Sequence, residues 1–94
     1  MSATPYLYSS PDFTHVAAVA TDINIMATDP KGQNRMCRRI SSNGPAIGGA
    51  ANLVVTRGDG TNVTLTIVGG STLEIQARAI VAAGTTATNI GIYW

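Results

Sequence analysis

Charge is what this chain has least of: Asp, Glu, Lys and Arg together make up 12% of its 94 residues, about half the share of an average soluble protein. The formal net charge is +1, and only Arg38 and Arg39 adjoin each other. A nucleic-acid-binding domain needs a basic stripe dense enough to neutralise several phosphates, so that function class is excluded. In an extended strand two consecutive side chains point to opposite faces, so Arg38 and Arg39 read as a solvated or salt-bridged pair at a sheet edge.

Cysteine is represented once, by Cys37. No intrachain disulfide can form, and the fold must hold by packing and hydrogen bonding, which suits a reducing compartment. Structural zinc needs about four Cys or His ligands, and Cys37 and His15 are the whole supply. The carboxylates Asp12, Asp22, Asp29 and Asp59 are scattered and match no calcium loop with alternating ligands. The expectation is no cofactor and no metal. Catalysis is poorly served as well, because one His, one Cys, one Glu and four Asp are few groups from which to converge an acid and a base. His15 has no nucleophile-elbow sequence to partner it and reads as a partly buried or solvent-facing side chain. The expectation is that the chain is not an enzyme.

Long apolar runs are missing too. The stretch Val16 to Ala20 is far too short to span a bilayer, and Met-Ser-Ala-Thr-Pro places no basic residue ahead of an apolar segment. The expectation is a product of the cytoplasm with no membrane segment.

Thr, Val, Ile, Ala and Gly dominate what is present, while the long-chain helix formers are scarce, with four Leu, one Lys and one Glu. That balance favours strands and turns. Residues 1–14 hold Pro5, Pro11 and three of the five aromatics, Tyr6, Tyr8 and Phe13, without a period of 2 or 3.6. They read as an extended N-terminal arm whose aromatics are buried either on the domain's own core or on a neighbouring subunit. Residues 15–94 read as a single domain. Within it Val16 to Ile25 forms one strand or two, Thr28-Asp29-Pro30-Lys31-Gly32 is a turn-rich loop, and Met36 to Ser41 is a strand stopped by Ser42-Asn43-Gly44-Pro45, with Gly48 and Gly49 extending that loop.

The clearest alternation puts Leu53 and Val55 on one face, then Val63, Leu65 and Ile67 opposite Thr64 and Thr66. This predicts a half-buried hairpin turning through Arg57-Gly58-Asp59-Gly60, with Thr56 joining the exposed threonine face. After Gly69-Gly70, Leu73, Ile75 and Ala77 point inward and Thr72, Glu74, Gln76 and Arg78 outward. The apolar run Ala79 to Ala83 reads as a strand covered on both faces or shifted by a bulge. Gly84 breaks it, and Ile90, Ile92 and Trp94 restore period 2, so the last residues, Tyr93-Trp94, are expected inside structure. Short strands about ten residues apart with glycine-rich turns predict an all-β fold, a small antiparallel β-sandwich of jelly-roll type. Lysines and inward charges that would guard its edges are nearly absent, so other chains are expected to pair with or cover them.

Arg57-Gly58-Asp59 spells an integrin-binding tripeptide, but the turn already accounts for Gly58, Asp59 and Gly60. Gly48-Gly49 and Gly69-Gly70 lack a following helix and Lys and are turn glycines, not a phosphate cradle.

The second half of the chain, roughly residues 50–94, combines Leu53 to Thr56, Asp59-Gly60, Val63 to Ile67, Leu73, Arg78 to Ala83 and Gly84-Thr85-Thr86-Ala87-Thr88 followed by Ile90. In that order it resembles the small head-spike base and capsid-surface decoration proteins of tailed phages and gene transfer agents. The resemblance implies a virion protein with a β-sandwich fold, made in the host cytoplasm. It would sit on the capsid surface, associate with itself and with the major capsid protein, and support a spike or fibre. Tyr6, Tyr8, Phe13, Arg38 and Arg39 are the candidate interface residues. A cement protein across capsomer junctions would use the same features. A host-adhesion or carbohydrate-binding β module would instead show clustered exposed aromatics, of which only Tyr93-Trp94 and the arm offer any.

Overall fold

The computed structural model describes residues 12–94. Tyr6 and Tyr8 lie outside them. Eight strands and one helical turn follow in the order β1 (Phe13–Val16), β2 (Ile23–Asn24), α1 (Ile25–Thr28), β3 (Arg39–Gly44), β4 (Ala50–Thr56), β5 (Asn62–Val68), β6 (Ser71–Leu73), β7 (Ala79–Ile80) and β8 (Thr88–Tyr93). They form two four-stranded antiparallel sheets, in the orders β1-β8-β3-β6 and β2-β7-β4-β5. Each of β1 to β4 is thus paired with the strand equally far from the other end, and these nested pairs alternate between the sheets. That is the double-sheet jelly roll.

The predicted hairpin is present in register, Asn52 opposite Thr66, Leu53 opposite Leu65 and Val55 opposite Val63. Its turn is closed by the Gly60 N–H donating to Arg57 O at 2.9 Å, with Gly60 at φ +89°. Period 2 then fills the space between the sheets. Leu53, Val55 and Ile80 from one face meet Ile40, Ile90 and Ile92 from the other, all fully buried. Ser42 is the polar member of this layer, and its hydroxyl lies 2.9 Å from the carbonyl oxygens of both Gly44 and Thr88, which satisfies it.

The structure moves several boundaries. Phe13 and Thr14, read as the end of the arm, belong to β1, where Phe13 faces Tyr93 and Thr14 faces Ile92. Met36 to Arg38 lie outside the strand, which starts at Arg39 and runs through Ser42-Asn43-Gly44, the residues expected to stop it. Pairing outweighs turn propensity there, because Ser42 faces Ile90 and Ser71 and Gly44 faces Thr88. After β2 comes a single helical turn, started by the Asn24 carbonyl side chain accepting from the Ala27 N–H at 3.1 Å. Of the run Ala79 to Ala83, only Ala79 and Ile80 form strand.

What replaces the rest of that strand explains the Gly-Thr-Thr motif. Val81 N–H donates to Val54 O, after which the chain turns through Gly84 and returns beside β4. There Thr85 Oγ1 accepts from Val54 N at 3.0 Å and Thr86 Oγ1 accepts from Asn52 N at 2.9 Å. Threonine hydroxyls thus take over the ladder partners that a longer β7 would have supplied.

Candidate assembly interface

The residues singled out for contact divide when placed on this frame. Antiparallel pairing brings Phe13 of β1 and Arg39 of β3 to either side of Tyr93 on β8. The Phe13 and Tyr93 rings lie 4.9 Å apart at 37°, and the Arg39 guanidinium stands 5.5 Å from the centre of the Tyr93 ring. Arg39 Nε is also 3.9 Å from Glu74, which completes a row across the whole sheet on its outward face. Gly91 lies beneath this row. A Cβ there would come within 2.9 Å of Phe13 Cε1 and 3.1 Å of the Tyr93 hydroxyl, so the two rings cover the bare backbone of the glycine. Phe13 remains 39% exposed, which leaves an aromatic and cationic patch on the surface.

Arg38 is exposed but stands apart from this patch, and its backbone N–H donates to Tyr93 O at 2.7 Å. Tyr93, the centre of the row, was absent from the sequence-derived contact residues. Its position follows from the period of β8, since burial of Ile90, Ile92 and Trp94 turns Tyr93 outward.

A second surface feature lies at the side of the sandwich where β5 ends one sheet and β6 the other. Met36, Val63, Leu65 and Ile75 line an open groove of about 350 Å³, with the exposed Arg57 and Gln76 beside them. At the opposite end of β5, Val68 is exposed, and Ile47, bridged to Gly69, is 72% exposed. A larger hollow of about 510 Å³ has a mixed lining, in which Asp22, Asn24, Thr56 and Arg78 alternate with the apolar Ile23 and Met26. Three of its polar side chains serve the fold: Asp22 accepts from Ala82 N at 2.8 Å, Asn24 caps α1, and Thr56 donates to Asn62 Oδ1 at 2.8 Å.

Charge converges at one place, unexpected from sequence. Asp29 is buried and receives Arg35 Nε and Nη2 at 2.8 Å each, together with the backbone N–H groups of Lys31 and Arg35 at 2.9 and 3.1 Å. Arg35 Nη2 also reaches Asp12 at 3.1 Å. The Trp94 indole N–H donates to Arg35 O, and Trp94 N to Asp12 O, each at 2.9 Å. The 29–35 loop, the start of β1 and the end of β8 are therefore tied at one corner. The visible signal was the turn sequence Asp29-Pro30-Lys31-Gly32; nothing in it selects Arg35 as the partner.

The Arg35 hydrogen bonds, aided by the two backbone N–H groups, hold the Asp29 carboxyl well below the usual carboxylate range against the opposing effect of burial. A depressed carboxyl stabilises the fold fully above its unfolded value, near pH 4, and loses that contribution as pH falls toward the folded one. The urea midpoint should therefore fall steadily between about pH 5 and about pH 2.5, and Asp29→Asn should flatten most of that slope. A midpoint constant over that range contradicts the assignment.

The remaining reactive groups stay apart. Cys37 is buried, its thiol donates to Ile75 O at 3.4 Å, and burial pushes its pKa up. His15 lies on the exposed face of β1, so the two cannot form a dyad. At the hairpin tip Asp59 accepts from both Thr61 Oγ1 (2.7 Å) and Thr61 N (3.0 Å), which lower its pKa and fold its carboxylate into the turn. Among the described residues, no three His, Cys, Asp or Glu side chains gather as metal ligands.

No protein-family model matches the chain. No curated protein matches it either. Among solved structures it is similar to a chain of the capsid of a native GTA (gene transfer agent) particle computed with C5 symmetry. The two share 23% sequence identity at a TM-score of 0.55, over 98% of this chain and 99% of that one. At that identity the likeness bears on the fold alone.

Proposed function

We propose that the chain is a structural protein of a phage-like particle, seated on the capsid surface, where it self-associates and forms the base of a head spike or fibre. The observation that carries this reading is the near-complete overlap, in both directions, with a chain of a gene transfer agent capsid. The order of motifs in residues 50–94 supports it from a separate direction. So does the inventory of reactive groups: with His15 outside, Cys37 inside and Asp29 held by Arg35, the described residues favour a structural role over catalysis.

The contact face in this proposal is the row Phe13, Tyr93 and Arg39, and Arg38, which stands apart from it, is left out. Aromatic and Arg side chains are enriched at protein interfaces and among their energetic anchors, the rings because they bury much area and the guanidinium because it presents a planar fork of donors. Particles assembled without the chain, mixed with the purified protein, should retain it on sedimentation. Phe13→Ser combined with Arg39→Glu should lower that retention about tenfold or more, a loss of roughly 1.4 kcal/mol, while the β signal in circular dichroism stays. Wild-type retention by the variant removes this face from the interface. Light scattering separates the two capsid roles: an oligomer supports the spike base, whereas a strict monomer that still binds particles supports a cement protein.

A further inference from the structure

We propose that two copies of the chain pack together through the outward face of β4 and β5, the same face on each copy. The inference rests on the self-association in the reading above and names the surface that brings it about.

Charge is distributed unevenly along the sequence. Residues 41–56, 60–73 and 79–94 contain no Asp, Glu, Lys, Arg or His. The fold brings parts of all three stretches together, because β5 pairs with β4 along one side and the return through Thr85 and Thr86 follows β4 along the other. Period 2 then divides the side chains. Ala51, Leu53, Val55 and Ile67 are buried between the sheets. The pairs Ala50 opposite Val68 and Asn52 opposite Thr66 therefore turn outward with Thr64, and all five are exposed. Val68 is 41% exposed, and Ile47, bridged to Gly69 at the same end of β5, is 72% exposed. Apart from Phe13, these two are the exposed large hydrophobic side chains among the described residues. Charged residues stand at the borders of the face: Arg57 and Asp59 in the hairpin tip, Arg78, whose N–H donates to Thr56 O, and Asp22 beside Ala82.

Such a face gives up little when it is covered. No ion loses its hydration. Thr and Val, branched at Cβ, have few rotamers to lose, whereas Lys, Arg and Glu have many. The cores of protein interfaces are depleted of charge in the same way, and flat sheet faces pack against each other about 10 Å apart.

Electrostatics selects the occupant. In an isologous contact the same patch lies on both sides. Through the row Phe13, Tyr93 and Arg39, that arrangement would bring two guanidinium groups toward each other, and like charges across an interface repel strongly. Through β4 and β5 no like charges meet. A charged face of another protein would find no ionic partner in this patch, and its charges would be buried unpaired. A second copy, presenting the same uncharged face, is the partner that fits.

Thr66→Asp and Thr66→Lys, each made in the full chain, test the proposal. Thr66 is exposed, and an unchanged β signal in circular dichroism checks the fold of each variant. In sedimentation equilibrium the wild type should self-associate, and each variant alone should do so about tenfold more weakly or worse, because like charges then share the interface. Mixed in equal amounts, the two variants should regain most of the lost affinity, since Asp and Lys now lie in one interface. Arg39→Glu should leave self-association unchanged. Variants that associate as tightly as the wild type overturn the proposal, and so does a mixture no tighter than its components. A strictly monomeric wild type also overturns it, while retention of that same protein on particles decides the capsid reading separately.

Discussion

Trp94→Ala should lower stability by about 3–5 kcal/mol, the range for removing a fully buried large aromatic from a core. Trp94 heads the largest fully buried side chains, at 2% exposure. Its removal opens a cavity at the corner where Arg35, Asp12 and Asp29 meet, and it leaves Arg35 O without the indole N–H that it accepts at 2.9 Å. Small domains have only about 5–15 kcal/mol in total, so the loss amounts to a large share of the folding free energy. For a chain of this size it corresponds to a fall in Tm on the order of 15–30 °C in a thermal melt. Trp94→Phe keeps most of the volume and deletes the donor, and should cost about 1–2 kcal/mol. Equal melting temperatures for Trp94→Ala and the unaltered chain would show that the corner is not a stabilising element.

Gly69→Ala should be the most damaging of the glycine substitutions in the loops, at about 2–3 kcal/mol or more. Gly69 carries the chain from β5 in one sheet toward β6 in the other, and it is held against the 46–49 loop from both sides. Gly69 N donates to Gly49 O and Gly48 N to Gly69 O, each at 2.9 Å. A Cβ on Gly69 would overlap the Ala46 carbonyl oxygen and stand 2.8 Å from the Ala46 carbonyl carbon and 3.2 Å from Ile47 Cα. All three obstacles are backbone, so no rotamer change relieves them. Gly48→Ala is the control. Gly48 sits at φ +80° with nothing within 4 Å of where a Cβ would stand, so only the backbone preference is lost, about 1 kcal/mol. Urea midpoints for the two variants rank them, and a Gly48→Ala chain weaker than Gly69→Ala would refute the packing argument.

The hairpin of β4 and β5 was legible because each strand alternates cleanly and the tip carries glycine beside aspartate, signals that act within a few residues. The same holds for the inward set Leu73, Ile75 and Ala77 and for Ile90, Ile92 and Trp94. Strand limits were less legible wherever a partner distant in sequence decides them. Ser42-Asn43-Gly44 has turn chemistry and remains in β3, because β8 and β6 pair with it. Ala79 to Ala83 has strand chemistry and leaves the sheet after two residues, because Thr85 and Thr86 supply hydroxyls to the edge of β4.

The candidate face divides in the same way. Phe13 and Arg39 were visible as an aromatic and a cation, but Tyr93 joins them only because β1, β8 and β3 lie side by side. Local alternation and composition by themselves determined that the chain is an all-β sandwich. Which strands neighbour one another, that Asp29 meets Arg35, and that an aromatic row forms over Gly91 were decided by tertiary structure, since each depends on pairings between residues far apart in the chain, and period 2 records a side chain's face but not its partner.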